Sequence, residues 1–409
     1  MKTEALTRRQ FVRALGISAA GALAVARTGM TQEQQQNQSS GTAKPGKIKV
    51  PTRRLGKTGV DVSILSLGGI FDITSNQLVL QQALDWGVTH WDTAPGYTGG
   101  KSEEGIGMFF EKNPEARKKV FLVTKARPGP LQSITDQLNQ SLERMKTDYV
   151  DLYFLHAISS PTGLTDEIKD WAEKAKAEKK IRFFGFSTHQ NMEECLQGAA
   201  KLGWIDAIML TYNYRVMHTD AMKAAVEAAS KAGIGLVAMK TQGRRTRSAD
   251  EAAEVKLIEH FIQRGFTAEQ ARLKVVWENP QIASICSAMY TISTLAANVA
   301  AAIDKTELTA QDRAALAQAA AETCSTYCAG CTRYCEAAIN FAAPVGDIMR
   351  SLMYYHSYGD YAYAREIFES IPAQARMQLT KFDYSPAERV CPNRLPITEL
   401  VREATRLLA

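Results

Sequence analysis

The sequence predicts an α/β chain built as a closed (β/α)8 barrel with a C-terminal α-helical, cysteine-bearing extension. Three observations predict it: eight short apolar runs after residue 50, amphipathic stretches between them, and five of the seven cysteines falling past residue 320. Short apolar runs alternating with helical periodicity are the pattern of repeated βα units with parallel strands, and eight such units are enough to close a barrel. With 409 residues, 45% hydrophobic and 22% charged, the chain can bury a large core and a second, smaller one.

Taken in order, residues 1 to 30 read as an address. Thr7-Arg8-Arg9-Gln10-Phe11-Val12-Arg13 precedes a weakly apolar, Ala/Gly-rich stretch from Ala14 to Ala26, and Ala22-Leu23-Ala24 and Ala24-Val25-Ala26 offer small residues for cleavage. The segment resembles a twin-arginine export signal, which implies the twin-arginine export machinery as a partner and a periplasmic or otherwise exported location. Its apolar part, about 13 residues, is shorter than the ~20 that span a bilayer, so no membrane span is expected in the mature protein. Residues 31 to 49, rich in Gln and Ser, read as a disordered linker.

The barrel is expected over residues 50 to 305, with strands near 62–68, 88–94, 119–126, 149–157, 181–188, 206–213, 233–240 and 282–289. Leu131 to Met145 and Ala221 to Ala232 carry apolar residues at three- and four-residue spacing, the period of a helix with one buried face. Residues 244 to 266 exceed an ordinary connection; Ser248-Ala249-Asp250-Glu251 marks a helix start and the periodicity runs to Phe261. The formal charge of +6, half of it contributed by the first 26 residues, gives no reason to expect nucleic acid.

Four residue types stand where strands end: Asp92, Tyr97, Lys125 and His156. In a parallel barrel the C-terminal strand ends carry the chemistry. A phenol is a poor acid near neutrality, so an ammonium that favours the phenolate would make Tyr97 a usable general acid, with Asp92 holding Lys125 in place. His156 could then hydrogen-bond a substrate oxygen as charge develops on it.

These residues, together with Arg54-Leu55-Gly56-Lys57-Thr58-Gly59, the Asp92-to-Tyr97 motif followed by Ser102-Glu103, and Gly185-Phe186-Ser187-Thr188-His189, resemble the aldo-keto reductase superfamily over roughly residues 52 to 303. The resemblance implies a TIM barrel whose catalytic tetrad is Asp92, Tyr97, Lys125 and His156, acting on a small-molecule carbonyl or alcohol substrate. It also implies NAD or NADP lying across the barrel mouth without a Rossmann motif, with Ser187, Thr188 and Asn213 near the carboxamide, Met239 at the ring platform and Asn298 near the adenine. Met209 stands where many members carry Gln. The turn from Ser287 to Asn298 holds no basic residue for a 2′-phosphate, which favours NAD.

The extension, residues 306 to 409, carries Cys328-x2-Cys331-x3-Cys335 and, far downstream, Cys391-Pro392. Thiolates converging on one small volume suit an iron–sulfur cluster, and the tail resembles the ferredoxin-like extension of one branch of the superfamily. That resemblance implies a 4Fe-4S cluster on Cys328, Cys331, Cys335 and Cys391, with Cys324 as the substitute. Disulfides and a four-thiolate zinc site compete, while Cys195 and Cys286 read as apolar core residues.

The expectation is an exported, NAD(P)-dependent oxidoreductase, sugars being among its candidate substrates. A cofactor outside the cytoplasm would need either a second substrate or an electron-transfer partner reached through the cluster. The alternative is a non-catalytic metabolite-binding barrel stapled by disulfides.

Overall fold

The computed structural model describes residues 48–247 and 251–409. The export segment and the linker up to residue 47 lie outside the described residues.

The chain enters through an antiparallel hairpin, β1 (Thr52–Arg54) and β2 (Asp61–Ser63). Its Leu55 and Val62 pack with Phe121, Val123, Leu152, Phe154, Met209 and Val237, the inward-facing residues of the barrel, so the hairpin plugs one end. The run expected as one strand over 62–68 is therefore divided. Ser63 ends the hairpin, and only Leu65–Gly68 joins the barrel.

Eight strands follow: β3 (Leu65–Gly68), β4 (His90–Asp92), β5 (Phe121–Ala126), β6 (Val150–Leu155), β7 (Ile181–Thr188), β8 (Ala207–Thr211), β9 (Gly235–Met239) and β10 (Ile282–Ala288). Each pairs in parallel with the next, and β10 closes the ring on β3. The strands read as continuous apolar runs because both of their faces are covered. Helices Leu131–Arg144 and Asp220–Lys231 occupy the expected periodic stretches, and threonines start several helices by accepting an amide of the first turn, as Thr165, Thr219, Thr267 and Thr291 do.

The segment after β9 forms the helix Glu251–Gln263, which packs against helix Ala310–Glu322. Asp312, fully buried, accepts from His260 Nε2 at 2.7 Å and Arg264 Nε at 3.2 Å and also caps its own helix through Thr309. This moves the boundary expected at residue 305. Leu308, Leu316, Ala319 and Tyr327 belong to the barrel's core, and the extension's own core begins at Ile339, built from Ile348, Leu352, Phe368, Leu400 and Ala404. Among the described residues no helix is long and apolar enough to cross a membrane.

Gly185 shows how tightly the ring is closed. A Cβ there would lie 1.8 Å from the Ala207 carbonyl oxygen on the neighbouring strand. Gly185→Ala is expected to destabilise the protein by about 3 kcal/mol or more through overpacking, measured as a lower midpoint of denaturant unfolding; an unchanged midpoint would contradict the registered β7–β8 contact.

Candidate active site

The end of β4 begins the site. Asp92 is 3% exposed, and the chain then turns through Thr93 and Ser102, whose hydroxyls lie 2.6 Å apart. Tyr97 sits in that excursion. Thr98, Gly99 and Gly100 all have positive φ, and at Gly100 (φ 98°) a Cβ would meet the Arg144 guanidinium at 2.9 Å, so only glycine fits the turn. Glu103 anchors the far side: it is wholly buried, accepts from Thr124 Oγ1 at 2.7 Å and pairs with Arg144 at 3.4 Å.

Lys125, near the end of β5 and 1% exposed, reaches into this excursion. Its Nζ donates to Asp92 Oδ1 and Oδ2 and to the Thr93 carbonyl, each at 2.7 Å, and lies 3.4 Å from Tyr97 Oη. His156, just past β6, stands with its ring 6.2 Å from that of Tyr97, nearly perpendicular to it. The turn that aims it is held from β7, where Ser187 Oγ accepts the Ala157 amide at 3.0 Å. The structure thus brings all four tetrad residues together.

The electrostatics set the resting charges of the site. Burial, followed by the neighbouring Asp92 carboxylate, pushes the Tyr97 phenol well above its ordinary value. Lys125 is already spoken for by three acceptors at 2.7 Å, with Tyr97 the most distant of its contacts. Tyr97 therefore rests as a neutral phenol. His156 and His189 are held well below the usual histidine range, first by burial and then by surrounding cations, so both rings are neutral. Burial raises the Asp92 carboxyl and the contact with Lys125 draws it back.

From the tetrad a groove of about 490 Å3 runs across the barrel mouth toward the start of helix Ile292–Ile303. Met209, Met239 and Asn298 line it, as do Ser293 and Thr294. Asn298 Nδ2 also donates to Ser287 Oγ at 3.0 Å. Ser187, Thr188 and Asn213 do not line it. Ser187 holds the His156 turn, Thr188 Oγ1 donates to the Gln190 carbonyl at 2.8 Å, and Asn213 Nδ2 serves the Lys240 carbonyl and Tyr327 Oη. These side chains are occupied with fixing loops, because each sits one step inside the rim. Their neighbours His189, Lys240, Thr241 and Arg244 line the groove instead, with Thr267, Glu269 and Gln270, and Cys286 beside them. Helix Glu251–Gln263 contributes nothing to the lining.

The extension roofs this groove. Tyr354, Tyr358 and Tyr363 face it, Tyr354 making ring contacts with the other two at 5.1 and 4.7 Å. A second chamber of about 220 Å3 opens on the other side of Tyr97 and His156, lined by Arg127, Arg350, Tyr363 and Glu366. Arg127, Arg350, Tyr363 and Glu366 stand in none of the motifs that the sequence offered.

Cys328, Cys331, Cys335 and Cys391 line one small cavity beneath the extension, and Cys324 is not among its walls. All seven cysteines are free thiols, so no disulfide staples the chain. Burial, followed by neighbouring charge, raises three of the thiols: Cys328, Cys331 to about 11 and Cys335 to about 12. The Leu395 amide donates to Cys391 Sγ at 3.5 Å. Among the described residues no three His, Cys, Asp or Glu groups stand close enough for a single metal ion; a tetrahedral zinc needs sulfurs about 3.8 Å apart, whereas a polynuclear cluster takes each thiolate on a different iron.

The model of the aldo/keto reductase family matches residues 67–319. The chain belongs to the aldo/keto reductase family. Among curated members, aldo-keto reductase yakc [NADP(+)] of Schizosaccharomyces pombe is 30% identical over 184 residues, 41% of this chain and 53% of the relative. L-galactose dehydrogenase of Arabidopsis thaliana is 25% identical over 286 residues, 62% and 88% respectively. The chain spans between 53% and 64% of the length of three such relatives. The holo form of aldo-keto reductase AKR11C1 from Bacillus halodurans shares the fold, with a TM-score of 0.54 at 23% identity over 66% of this chain and 96% of that one.

Buried His90 and half-buried His156 and His189 link the fold to pH. His90, pushed down to about 3, and His156 and His189 stay neutral when folded, whereas the unfolded chain protonates them near 6.5. The unfolded state binds more protons below that value, so stability falls as pH drops below about 6.5, by up to about 1.4 kcal/mol per pH unit for each histidine that stays neutral. Urea unfolding at pH 7, 6 and 5 measures this; a stability that stayed level would contradict the neutral rings.

Proposed function

We propose that this aldo/keto reductase family member is an oxidoreductase that moves hydride between a nicotinamide dinucleotide and the carbonyl or alcohol carbon of a small molecule. The observation that carries the reading is Lys125, bridging Asp92 at 2.7 Å and Tyr97 at 3.4 Å at the end of an open groove.

When bound, the dinucleotide supplies or accepts the hydride. The Met209 and Met239 thioethers offer polarisable walls for a flat ring, and Asn298, Ser293 and Thr294 offer polar groups at the groove's other end. In reduction, the substrate oxygen lies between Tyr97 Oη and the neutral His156 ring. His156 donates a hydrogen bond as negative charge grows on that oxygen. Tyr97 gives up its phenolic proton to the same oxygen as the C=O π bond breaks, and Lys125 stabilises the phenolate formed. The lysine's contribution thus falls on the product side of the proton transfer. Oxidation runs the same steps in reverse, with Tyr97 as base.

Tyr97→Phe is expected to lower kcat by about 10²- to 10⁴-fold while leaving dinucleotide binding within a few fold, read by absorbance turnover with small aldehydes and by fluorescence titration. Normal turnover in this variant would sink the tetrad reading. The cation-free turn at Tyr290 to Asn298 supports NAD, and the NADP(+) in the fission yeast relative's name supports NADP; titration with both forms compares them. The L-galactose dehydrogenase name supports sugars as first substrates to try.

We further propose that Cys328, Cys331, Cys335 and Cys391 hold a 4Fe-4S cluster, which would supply one-electron storage for an electron-transfer partner. The support is four free thiols around one cavity with Cys324 outside it. Anaerobically purified protein should contain about four irons and four sulfides per chain. Cys391→Ala should lose them and Cys324→Ala keep them; zinc in their place, or equal loss in both variants, would refute the assignment.

Export through the twin-arginine machinery, and hence a periplasmic location, is proposed from Arg8-Arg9 and the apolar stretch behind them. Replacing both arginines with lysine should keep the protein in the cytoplasmic fraction; unimpaired export would overturn this.

A further inference from the structure

A small cavity of about 40 Å3 lies between the groove and the thiol cage. His189, Thr211, Lys240 and Thr246 form its barrel side, and Arg350, from helix Val345–Met353 of the extension, its other wall. Three of these residues carry a buried polar atom without a hydrogen-bond partner: His189 Nδ1, Thr211 Oγ1 and Arg350 Nε. Thr211 is only 6% exposed. Buried donors and hydroxyls are almost always satisfied in folded proteins, so three orphans around one cavity point to an absent ligand.

The charges say what kind. Of the cations that converge on His156, Lys125 is neutralised by Asp92 and Arg127 by Glu366. Lys240 forms no ion pair among the described residues; its ammonium lies 5.2 Å from the centre of the Tyr354 ring. Among the described residues Arg350 meets a carboxylate only at Asp347, 3.4 Å away, and Gln190 Nε2 competes for the same oxygen at 2.9 Å. A guanidinium side chain only 18% exposed is therefore left with little counter-charge, and burial together with Arg350 holds the neighbouring Lys240 amine well below its ordinary value, which an anion bound there would reverse.

Arg350 has a second address. It lines the 220 Å3 chamber together with Tyr97 and His156, yet it does not line the dinucleotide groove. It therefore belongs to the substrate's side of the tetrad. A planar guanidinium with a free Nε–H matches a carboxylate edge-on.

We propose that Arg350, assisted by Lys240, binds a carboxylate of the substrate, so that the enzyme acts on anionic carbonyl compounds or the corresponding hydroxy acids. The proposal rests on the tetrad reading above and adds the substrate class. It makes the extension a part of the substrate site, its helix supplying a cation with no full counter-charge beside the barrel's own Arg127, which Glu366 neutralises. The anionic partner offsets the Arg350 charge, and its oxygens accept from the Arg350 Nε–H, the one orphan donor whose residue lines both the small cavity and the chamber.

A dinucleotide phosphate has the same chemistry, and the test separates the two. The full chain, purified with its extension intact, is titrated calorimetrically in the presence of dinucleotide with probe pairs in which a neutral group replaces the carboxylate: pyruvate against methyl pyruvate, and D-glucuronate against D-glucose. At least one acid should bind about tenfold more tightly than its neutral counterpart. Arg350→Gln should bring that ratio to within about threefold, Arg350→Lys should keep part of the preference, and Lys240→Met should reduce it. No preference for acid in either pair, or an unchanged ratio in Arg350→Gln that still unfolds at the wild-type midpoint, would overturn the proposal. So would a tenfold loss of dinucleotide affinity in Arg350→Gln with acid preference intact, since the anion would then be the cofactor's phosphate. Tyr97→Phe keeps the two readings apart: it should retain the acid preference while losing turnover, and normal turnover there would sink the tetrad and leave the anion site standing.

Discussion

The buried ion pair between Lys125 and Asp92 is the constraint around which the mouth of this barrel is built. Both residues are almost fully out of water, and taking two charges out of water is costly unless their hydrogen-bonding capacity is met. It is met here by three acceptors at 2.7 Å, one of them the backbone carbonyl of Thr93. Because a backbone atom takes part, the ammonium fixes the course of the chain after β4 and so the position of Tyr97. Stability and chemistry use the same contact: the charge that holds the loop also waits for the phenolate.

Around that pair the protein is closed from the other side by its own extension. Tyr354, Tyr358 and Tyr363 roof the groove, and Arg350 and Glu366 line the chamber next to Tyr97. The barrel's rim loops are held to the extension by Asn213 to Tyr327, Asn191 to the Arg333 amide, and Gln190 to Asp347. These ties run from the ends of β7 and β8, the strands whose rim carries His189 and borders Lys240. The thiol cage adjoins the same region, since Cys328 and Met349 line both it and the small cationic cavity. Groove, cavity and cage are thus neighbours, which is the arrangement electron exchange between them would require.

The four candidate residues were legible because Asp92 and Lys125 stand in the last positions of β4 and β5, His156 follows β6 and Tyr97 follows β4 within one short turn, where residue type and place along the chain together signal chemistry. The cofactor side was legible only in part. Met239 and Asn298 line the groove as expected, while Ser187, Thr188 and Asn213 are turned to loop-building hydrogen bonds. A shift of one or two residues at a strand end moves a side chain from the rim to the interior, and no period in the sequence marks that step. His189, Lys240 and Arg244 gained their places in this way. Arg350 was beyond reach altogether, because it lies 194 residues from His156 in the chain and meets it only through the docking of the extension.

By itself the sequence determined the eight-stranded barrel, the order of its strands, the placing of Asp92, Tyr97, Lys125 and His156 at one end of it and the grouping of the late cysteines. All of these are carried by local periodicity or by short spacings that any folded form must keep. Tertiary structure alone decided that Ser63 ends a hairpin, that helix Ala310–Glu322 belongs to the barrel, that Tyr97 rests as a neutral phenol, and that cations from the extension face the substrate chamber. Each of these depends on how much water a group loses and which distant charge it meets, and burial and long-range contact are properties of the packed molecule.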